Sequence, residues 1–235
     1  MKTILHQSNN RGHSNFGWLD SYHSFSFGRY YDPQRMGFGV LRVLNDDHVT
    51  GGAGFGTHPH DNMEIVSIPL WGNMAHKDST GTNGVIKTGD VQIMSAGSGI
   101  THSEFNLSKD KDLKFLQIWV MPKERNIKPR YAQQSYDLNY NLNQWQTVVA
   151  PDEEQALWIN QDAYFTMIKT DRVLQTSYRL KQAANGVYLF VIEGMLKVKE
   201  HQLKQRDALG VYEAEEVEME ISKDAYILAI EVPMG

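Results

Sequence analysis

Short hydrophobic stretches rich in β-branched and aromatic residues recur along the first half of the chain. Gly, Asn, Asp and Pro interrupt them about every ten residues, as the turns of a β-sandwich or β-barrel require. No long stretch has the period of an amphipathic helix. We therefore predict strands at residues 37–45, 63–72, 73–79, 90–97 and 113–122.

The chain also carries a weak internal repeat. From residue 122 a polar segment, PKERNIKPRYAQQSYDLNYNLNQWQ, shows no clear period and is interpreted as a connection between two β units. Strand-like sequence then resumes, with Gly194 matching Gly72 and Asp207 matching Asp90. The repeat predicts an all-β protein of two stacked antiparallel β-barrels, the first over residues 1–130 and the second over residues 131–235.

The composition excludes several classes of protein. The 235 residues include no cysteine, so disulfides, zinc–thiolate sites and thiol nucleophiles are ruled out. A formal net charge of −5 with 23 Lys and Arg residues gives no electrostatic reason to expect nucleic-acid binding. No apolar run approaches the roughly 20 residues of a membrane span, and the first residues lack the apolar part of a secretory signal. We therefore expect a soluble, cytoplasmic protein with no nucleic acid or membrane as partner.

Two pairs of potential metal ligands stand at i and i+2 spacing. His58 and His60 enclose a proline in GTHPHDNMEIVSIPLWG, and His102 and Glu104 follow a Gly-rich turn in SAGSGITHSEF. Because side chains alternate along a strand, the members of each pair point to the same face. A lone His-x-His is more often a surface coincidence, but the second pair favours a metal site. Three imidazoles and one carboxylate leave one or two positions of a divalent transition metal open, as in catalytic centres.

The residues around these pairs resemble the two cupin motifs, with SAGSG replacing the usual Pro-x-Gly of the second. The matching residues are Gly52, His58, His60 and Glu64 for the first motif and Gly89, Gly99, His102 and Asn106 for the second. Three segments, RGHSNFGWLDSYHSFSFGRYYDP, GFGTHPH and MSAGSGITHSE, together resemble the pirin family. This likeness covers nearly all of residues 10–132, and the second half resembles the family more loosely.

The resemblance implies a bicupin, in which each barrel is a double-stranded β-helix, with one Fe²⁺ ion in the first barrel. Carried over to this chain, its ligands would be His58, His60, His102 and Glu104. The same donors suit manganese, cobalt, nickel, copper or zinc. Glu64 follows His60 by four residues, so we expect it to orient an imidazole, with direct binding to the metal left open.

The resemblance also implies a reaction. Bacterial pirin-like bicupins resemble quercetin 2,3-dioxygenases, which open the central ring of a flavonol with O2 and release carbon monoxide. In this interpretation Glu104 is also catalytic, because it accepts the proton of a substrate hydroxyl. The implied partners are a small flavonol-like aromatic substrate and O2. One alternative is an iron-binding, redox-sensing regulator that acts on a transcription factor or metabolic enzyme. Another is an isomerase or sugar-binding cupin, for which the expected extra carboxylates and lysines are missing.

The remaining histidines have no partner at ligand spacing. We expect His13 and His23 to pack or form hydrogen bonds at the junction of the two barrels, and His76 to lie on a strand near the site. Three others are interpreted as surface residues: His6, His48 and His201.

The second barrel lacks the histidines of the first. Leu180 and Gln182 stand where the repeat would place His58 and His60, and His201 is the one histidine beyond residue 102. We therefore expect a degenerate barrel without a metal site, whose role is to cover the first barrel.

Overall fold

The computed structural model describes residues 1–235, and its regular secondary structure is β-strand apart from one 3-10 turn at Ser8–Asn10. No helix reaches the length and apolarity needed to cross a membrane. The strands are β1 (Lys2–His6), β2 (Gly12–Asn15), β3 (Leu19–His23), β4 (Leu41–Val49), β5 (Gly54–His60), β6 (Glu64–Trp71), β7 (Asn73–Asp78), β8 (Asn83–Lys87), β9 (Asp90–Ser95), β10 (Ile100–Asn106), β11 (Leu113–Val120), β12 (Arg130–Ser135), β13 (Gln146–Ala150), β14 (Leu157–Trp158), β15 (Tyr164–Lys169), β16 (Leu174–Arg179), β17 (Asn185–Glu193), β18 (Leu196–Val198), β19 (His201–Leu203), β20 (Ala208–Tyr212), β21 (Glu216–Ile221) and β22 (Tyr226–Pro233).

The strands form four sheets, two in each half of the molecule. In the first half a seven-stranded sheet, β12-β9-β6-β11-β4-β3-β2, packs against the four-stranded sheet β5-β10-β7-β8. In the second half the sheet β1-β20-β17-β22-β15-β13-β14 packs against β16-β21-β18-β19. Neighbouring strands are antiparallel except β13 and β14. The predicted all-β fold of two stacked, barrel-like halves is confirmed.

The internal repeat has a physical basis in two turns. Gly72 joins β6 to β7 with φ +86°, and Gly194 follows β17 in the second half with φ +79°. Glycine is the residue that enters this left-handed region without a steric penalty. Asp90 and Asp207 each accept a hydrogen bond from the backbone N–H three residues earlier, at 2.8 and 2.9 Å. The matched residues therefore close equivalent turns in the two halves.

The two halves exchange one strand each. The N-terminal strand β1 pairs with β20 of the second half, and β12 pairs with β9 of the first half. β12 lies inside the polar segment that the sequence indicates as a connection between two β units. It is an edge strand whose residues are half-buried or exposed, so its sequence shows no hydrophobic alternation. The division of the chain near residue 130 stays a prediction.

The hydrophobic cores differ between the halves, and this difference creates space for a site. The largest core, of 27 buried residues, lies between the two seven-stranded sheets and joins Val66 and Ile118 to Phe165 and Leu228. A core of 16 residues fills the interior of the second half. The interior of the first half holds only clusters of six and four residues. The remaining interior of the first half is therefore available to polar side chains.

Candidate metal centre

Strands β5 and β10 bring three predicted ligands together. They are antiparallel neighbours, and His102 is the direct cross-strand partner of His58. The ring centroids lie 4.5 Å apart for His58 and His102, 4.8 Å for His58 and His60, and 4.9 Å for His60 and His102. Potential ligand atoms of all three histidines lie within 4.8 Å of one another. Three imidazoles thus face a common point.

The fourth predicted ligand belongs to an overlapping group. β10 also pairs with β7, which places Glu104 opposite His76. Ligand atoms of His76, His102 and Glu104 lie within 4.8 Å of one another. His76 Nε2 is 2.9 Å from Asp78 Oδ2, so this carboxylate holds the ring in place. The expectation that His76 lies on a strand near the site is confirmed, and the pairing of β7 with β10 brings it within reach of the cluster.

The unpartnered nitrogen atoms of the cluster fit a bound cation. His58 donates a hydrogen bond from Nδ1 to the carbonyl oxygen of Gly56 at 2.8 Å, which leaves Nε2 free to act as a ligand. Both ring nitrogens of His102 are buried and have no hydrogen-bond partner. Buried polar atoms without partners destabilise a fold, and a divalent ion would satisfy one here. The donors are therefore of the right type for a transition metal.

The electrostatics of the histidines favours cation binding at neutral pH. Burial, helped by the neighbouring His58, lowers the pKa of His60 to about 4. Burial, helped by His58 and His60, lowers the pKa of His102 to about 3. Both rings are therefore uncharged at pH 7, which is the state that binds a metal.

Glu104 is held by two polar side chains that the sequence analysis missed. Gln117 Nε2 donates to Glu104 Oε2 at 2.8 Å, and the single Ser67 hydroxyl proton is shared between Gln117 Oε1 at 2.8 Å and Glu104 Oε1 at 3.3 Å. Burial raises the pKa of Glu104 to about 7, although these two hydrogen bonds oppose the shift. The carboxyl group can therefore hold or release a proton near neutral pH. The available sequence signal was a polar residue in the middle of each of two mostly apolar strands, EIVSIPLW and LKFLQIWV.

Glu64 lies on the other side of the large sheet, so the expectation that it orients an imidazole is wrong. β5 ends at His60, and a turn with Asn62 at φ 45° precedes β6, so strand alternation does not carry across. The Glu64 carboxylate accepts hydrogen bonds from Ser95 Oγ at 2.7 Å and from the backbone N–H of Asn160 at 3.1 Å. Its contacts therefore join the first half to the second.

We expect Glu64→Ala to destabilise the protein without changing its metal content. The Ser95 hydroxyl and the Asn160 N–H would lose their acceptor in a buried region, which costs roughly 1–3 kcal/mol of the free energy of unfolding. Urea denaturation and elemental analysis of the same preparation test this. Loss of the metal with unchanged stability would contradict it and return Glu64 to the metal site.

A cavity of about 560 Å³ opens next to the cluster and is lined by His58, His60 and Glu104. Its aromatic lining residues are Phe16, Trp18, Phe27, Phe55 and Trp119. The Trp119 ring lies 4.9 Å from His60 and 5.4 Å from Phe27. Such walls accept a flat aromatic ligand beside the potential metal ligands.

Two further histidines differ from the sequence expectation. His23 lines the cavity instead of the junction between the halves, and its Nδ1 lies 2.9 Å from Asn45 Oδ1. His6, expected at the surface, is buried with Nδ1 2.8 Å from the Tyr188 hydroxyl. The reason is that β1 joins the sheet of the second half and carries His6 into the interface. His13 is exposed and stacks on Tyr22.

Two packed β halves, with a cluster of histidines and a glutamate inside the first half, define an all-β bicupin with a candidate metal-binding site. The pirin profile matches residues 5–120, and the profile of the quercetinase C-terminal cupin domain matches residues 147–232. The chain belongs to the pirin family, which confirms the family predicted from the sequence motifs.

Similar proteins extend over nearly the whole chain. The quercetin 2,3-dioxygenase of Escherichia coli strain K12 is 39% identical over 230 residues, which cover 97% of this chain and 98% of that protein. A pirin-like protein of Caulobacter vibrioides is 34% identical over 222 residues, covering 94% of this chain and 95% of that protein. The crystal structure of the bacterial pirin YhhW from Escherichia coli in complex with nickel(II) matches with a TM-score of 0.94 and 37% identity, covering 100% of both chains.

Proposed function

We propose that this protein is a metal-dependent dioxygenase that opens the central ring of a flavonol such as quercetin with O2 and releases carbon monoxide. The observation that carries the proposal is the cavity of about 560 Å³, which joins aromatic walls to His58, His60 and Glu104. The volume lies within the usual range for small-molecule sites. The name of the Escherichia coli relative, quercetin 2,3-dioxygenase, supports the same reaction.

In this proposal His58, His60, His102 and Glu104 hold one divalent transition metal, with Fe²⁺ as the native ion. The nickel(II) in the YhhW complex supports a divalent ion in this fold, and imidazole with carboxylate suits several such ions. A bound ion of this kind supplies a Lewis acid that lowers the pKa of a hydroxyl group bound to it. His102 belongs to two possible ligand groups, one with His58 and His60 and one with His76 and Glu104. His76 is therefore a competing ligand.

Glu104 is the proposed proton acceptor. Burial raises its pKa to about 7 in the metal-free protein and a bound cation would lower it, so at neutral pH the group is available as a carboxylate that takes a proton from a substrate hydroxyl. The proton moves from the hydroxyl oxygen to the carboxylate of Glu104, whose Oε2 is held by Gln117 and whose Oε1 lies next to Ser67. The loss of this proton leaves an electron-rich substrate anion, which is the form that reacts with O2.

The aromatic walls bind the rings of the substrate and keep water away. Trp119 and Phe27 meet edge to face at 5.4 Å, and Trp18 meets Phe55 in the same way at 5.2 Å. Such surfaces stack on flat ligands and contribute most of the apolar contact area. A flavonol is planar and carries hydroxyl groups at its edges. It therefore suits both the aromatic walls of the cavity and the polar candidate metal ligands beside them.

The test is oxygen consumption by the reconstituted protein. After anaerobic loading with Fe²⁺, we expect addition of quercetin to consume O2 and release carbon monoxide in equal amounts. The metal-free protein and a flavone without the 3-hydroxyl group serve as controls and are expected to give neither. If the loaded protein consumes no O2 with any flavonol of a panel, the dioxygenase proposal fails and the redox-sensing regulator takes its place.

A further inference from the structure

A row of polar side chains crosses the large sheet of the first half inside the cavity. The row consists of four residues on adjacent strands, each a direct cross-strand partner of the next: Ser67 on β6, Gln117 on β11, Asn45 on β4 and His23 on β3. Direct partners point to the same face of a sheet, so all four face the interior with Glu104. Adjacent strands lie about 4.8 Å apart, so the row extends roughly 10 Å from Gln117 to His23.

Asp47 and Ser21 form a second polar pair beside this row. They are cross-strand partners on β4 and β3, and each lies two residues from a member of the row, so they share its face. Both are buried and both line the cavity. The Ser21 hydroxyl donates to Asp47 Oδ1, whereas Oδ2 has no hydrogen-bond partner within the chain. Asp47 is a diagonal neighbour of Gln117, roughly 7–8 Å away between Cα atoms.

The position of Asp47 is costly for a purely structural residue. A buried carboxyl group normally forms several hydrogen bonds or pairs with a cation, and a single hydroxyl is a poor substitute for water. The neighbouring Asp46 does form such pairs, with Arg11 and Arg206, on the opposite face of β4. Burial raises the pKa of Asp47 to about 7, and the Ser21 hydrogen bond opposes the shift. Because Asp47 lines the cavity, its unpartnered oxygen is available to a ligand there.

We propose that Asp47, positioned by Ser21, is a specificity-determining residue that binds a ring hydroxyl of a polyhydroxylated aromatic substrate. This inference rests on the proposed function, because it places the same substrate between two polar points, Glu104 and Asp47. A carboxylate accepts a short, strong hydrogen bond from a phenolic hydroxyl. Trp18 and Phe55, which also line the cavity and pack against the cluster that contains Phe115, the cross-strand partner of Asp47, supply apolar contact for the ring that carries this hydroxyl.

The experiment measures equilibrium binding, so it does not depend on turnover. Quenching of tryptophan fluorescence reports occupancy, since Trp18 and Trp119 line the cavity. With nickel(II)-loaded protein under argon, we expect Asp47→Ala to raise the Kd for quercetin about tenfold or more, the loss expected for one charge-assisted hydrogen bond. The Kd for 3-hydroxyflavone, which lacks the other ring hydroxyls, should change less than about twofold, because apolar contacts dominate its binding. Ser21→Ala should shift quercetin binding in the same direction by a smaller factor.

Asp20→Asn is the matched control, because Asp20 lies next to Ser21 on β3 and bonds instead to the exposed His13 at 2.5 Å. It should leave both Kd values unchanged. Equal weakening of the two ligands by Asp47→Ala, or no weakening of quercetin, overturns the inference while leaving the proposed function in place. If the wild type binds no flavonol and consumes no O2, both are overturned. Circular dichroism and the urea midpoint of each variant separate loss of binding from loss of fold.

Discussion

The double variant His58→Ala, His60→Ala is expected to bind no metal and to show no metal-dependent oxygen consumption. These residues supply two of the three imidazoles whose rings lie within 4.9 Å of one another. His102 and Glu104 alone leave too few ligands to hold a divalent ion tightly, since catalytic sites commonly use three or more protein ligands. Elemental analysis after reconstitution should fall from close to one ion per chain to near zero.

The control for this variant is His201→Ala, which removes a histidine of β19 in the second half and should leave the metal content unchanged. The structure also offers a competing set of ligands, His76, His102 and Glu104. Full occupancy in the double variant would contradict the predicted ligands and point to that set. His76→Ala would then remove the ion, whereas under our proposal it leaves most of the ion in place.

Glu104→Gln is expected to keep a measurable share of the metal but to lose about 10²–10⁴-fold in turnover per bound ion, the usual cost of removing a positioned base. The amide still offers an oxygen, and Gln117 Nε2 can still donate to it across the present 2.8 Å contact. It cannot accept the proton of a substrate hydroxyl. The measurement is the kcat of oxygen consumption divided by the metal content of each preparation.

Glu64→Gln is the matched control, since it makes the same substitution at a buried glutamate that bonds to Ser95 and Asn160 instead of the site. It should turn over normally. The pH dependence of metal binding gives a second test, because the pKa of Glu104 is raised to about 7. Protons compete with the ion below that pH, so the metal affinity of the wild type should fall as the pH decreases from 7, and Glu104→Gln should lack this part of the dependence. Normal turnover by metal-loaded Glu104→Gln would show that another group takes the proton.

The sequence by itself determined the fold class and the two pairs of candidate metal ligands. Hydrophobic alternation punctuated by turn residues identified β6, β7, β9 and β11 within a few residues, because both signals are local. β4 begins at Leu41, later than predicted, since Gly39 at φ +53° forms a turn first. The i, i+2 spacing of the ligand pairs also follows from strand geometry alone.

Only the tertiary structure decided which strands are neighbours. Alternation assigns a side chain to a face, but the partner strand and its register depend on packing across the whole chain. The pairing of β10 with both β5 and β7 placed His102 between His58 and His76. Long-range pairing likewise carried β1, and with it His6, into the sheet of the second half.

The same limit applies to the polar lining of the cavity. Gln117 lies in a mostly apolar strand and Asp47 in a mixed one, LRVLNDDHV, and nothing in either stretch of sequence indicates a common site. They come together because β11 and β4 pair in one register, which turns both side chains toward Glu104. The chain sequence therefore determined the donors and their spacing, whereas strand pairing determined what surrounds them, because that information lies in contacts between residues distant along the chain.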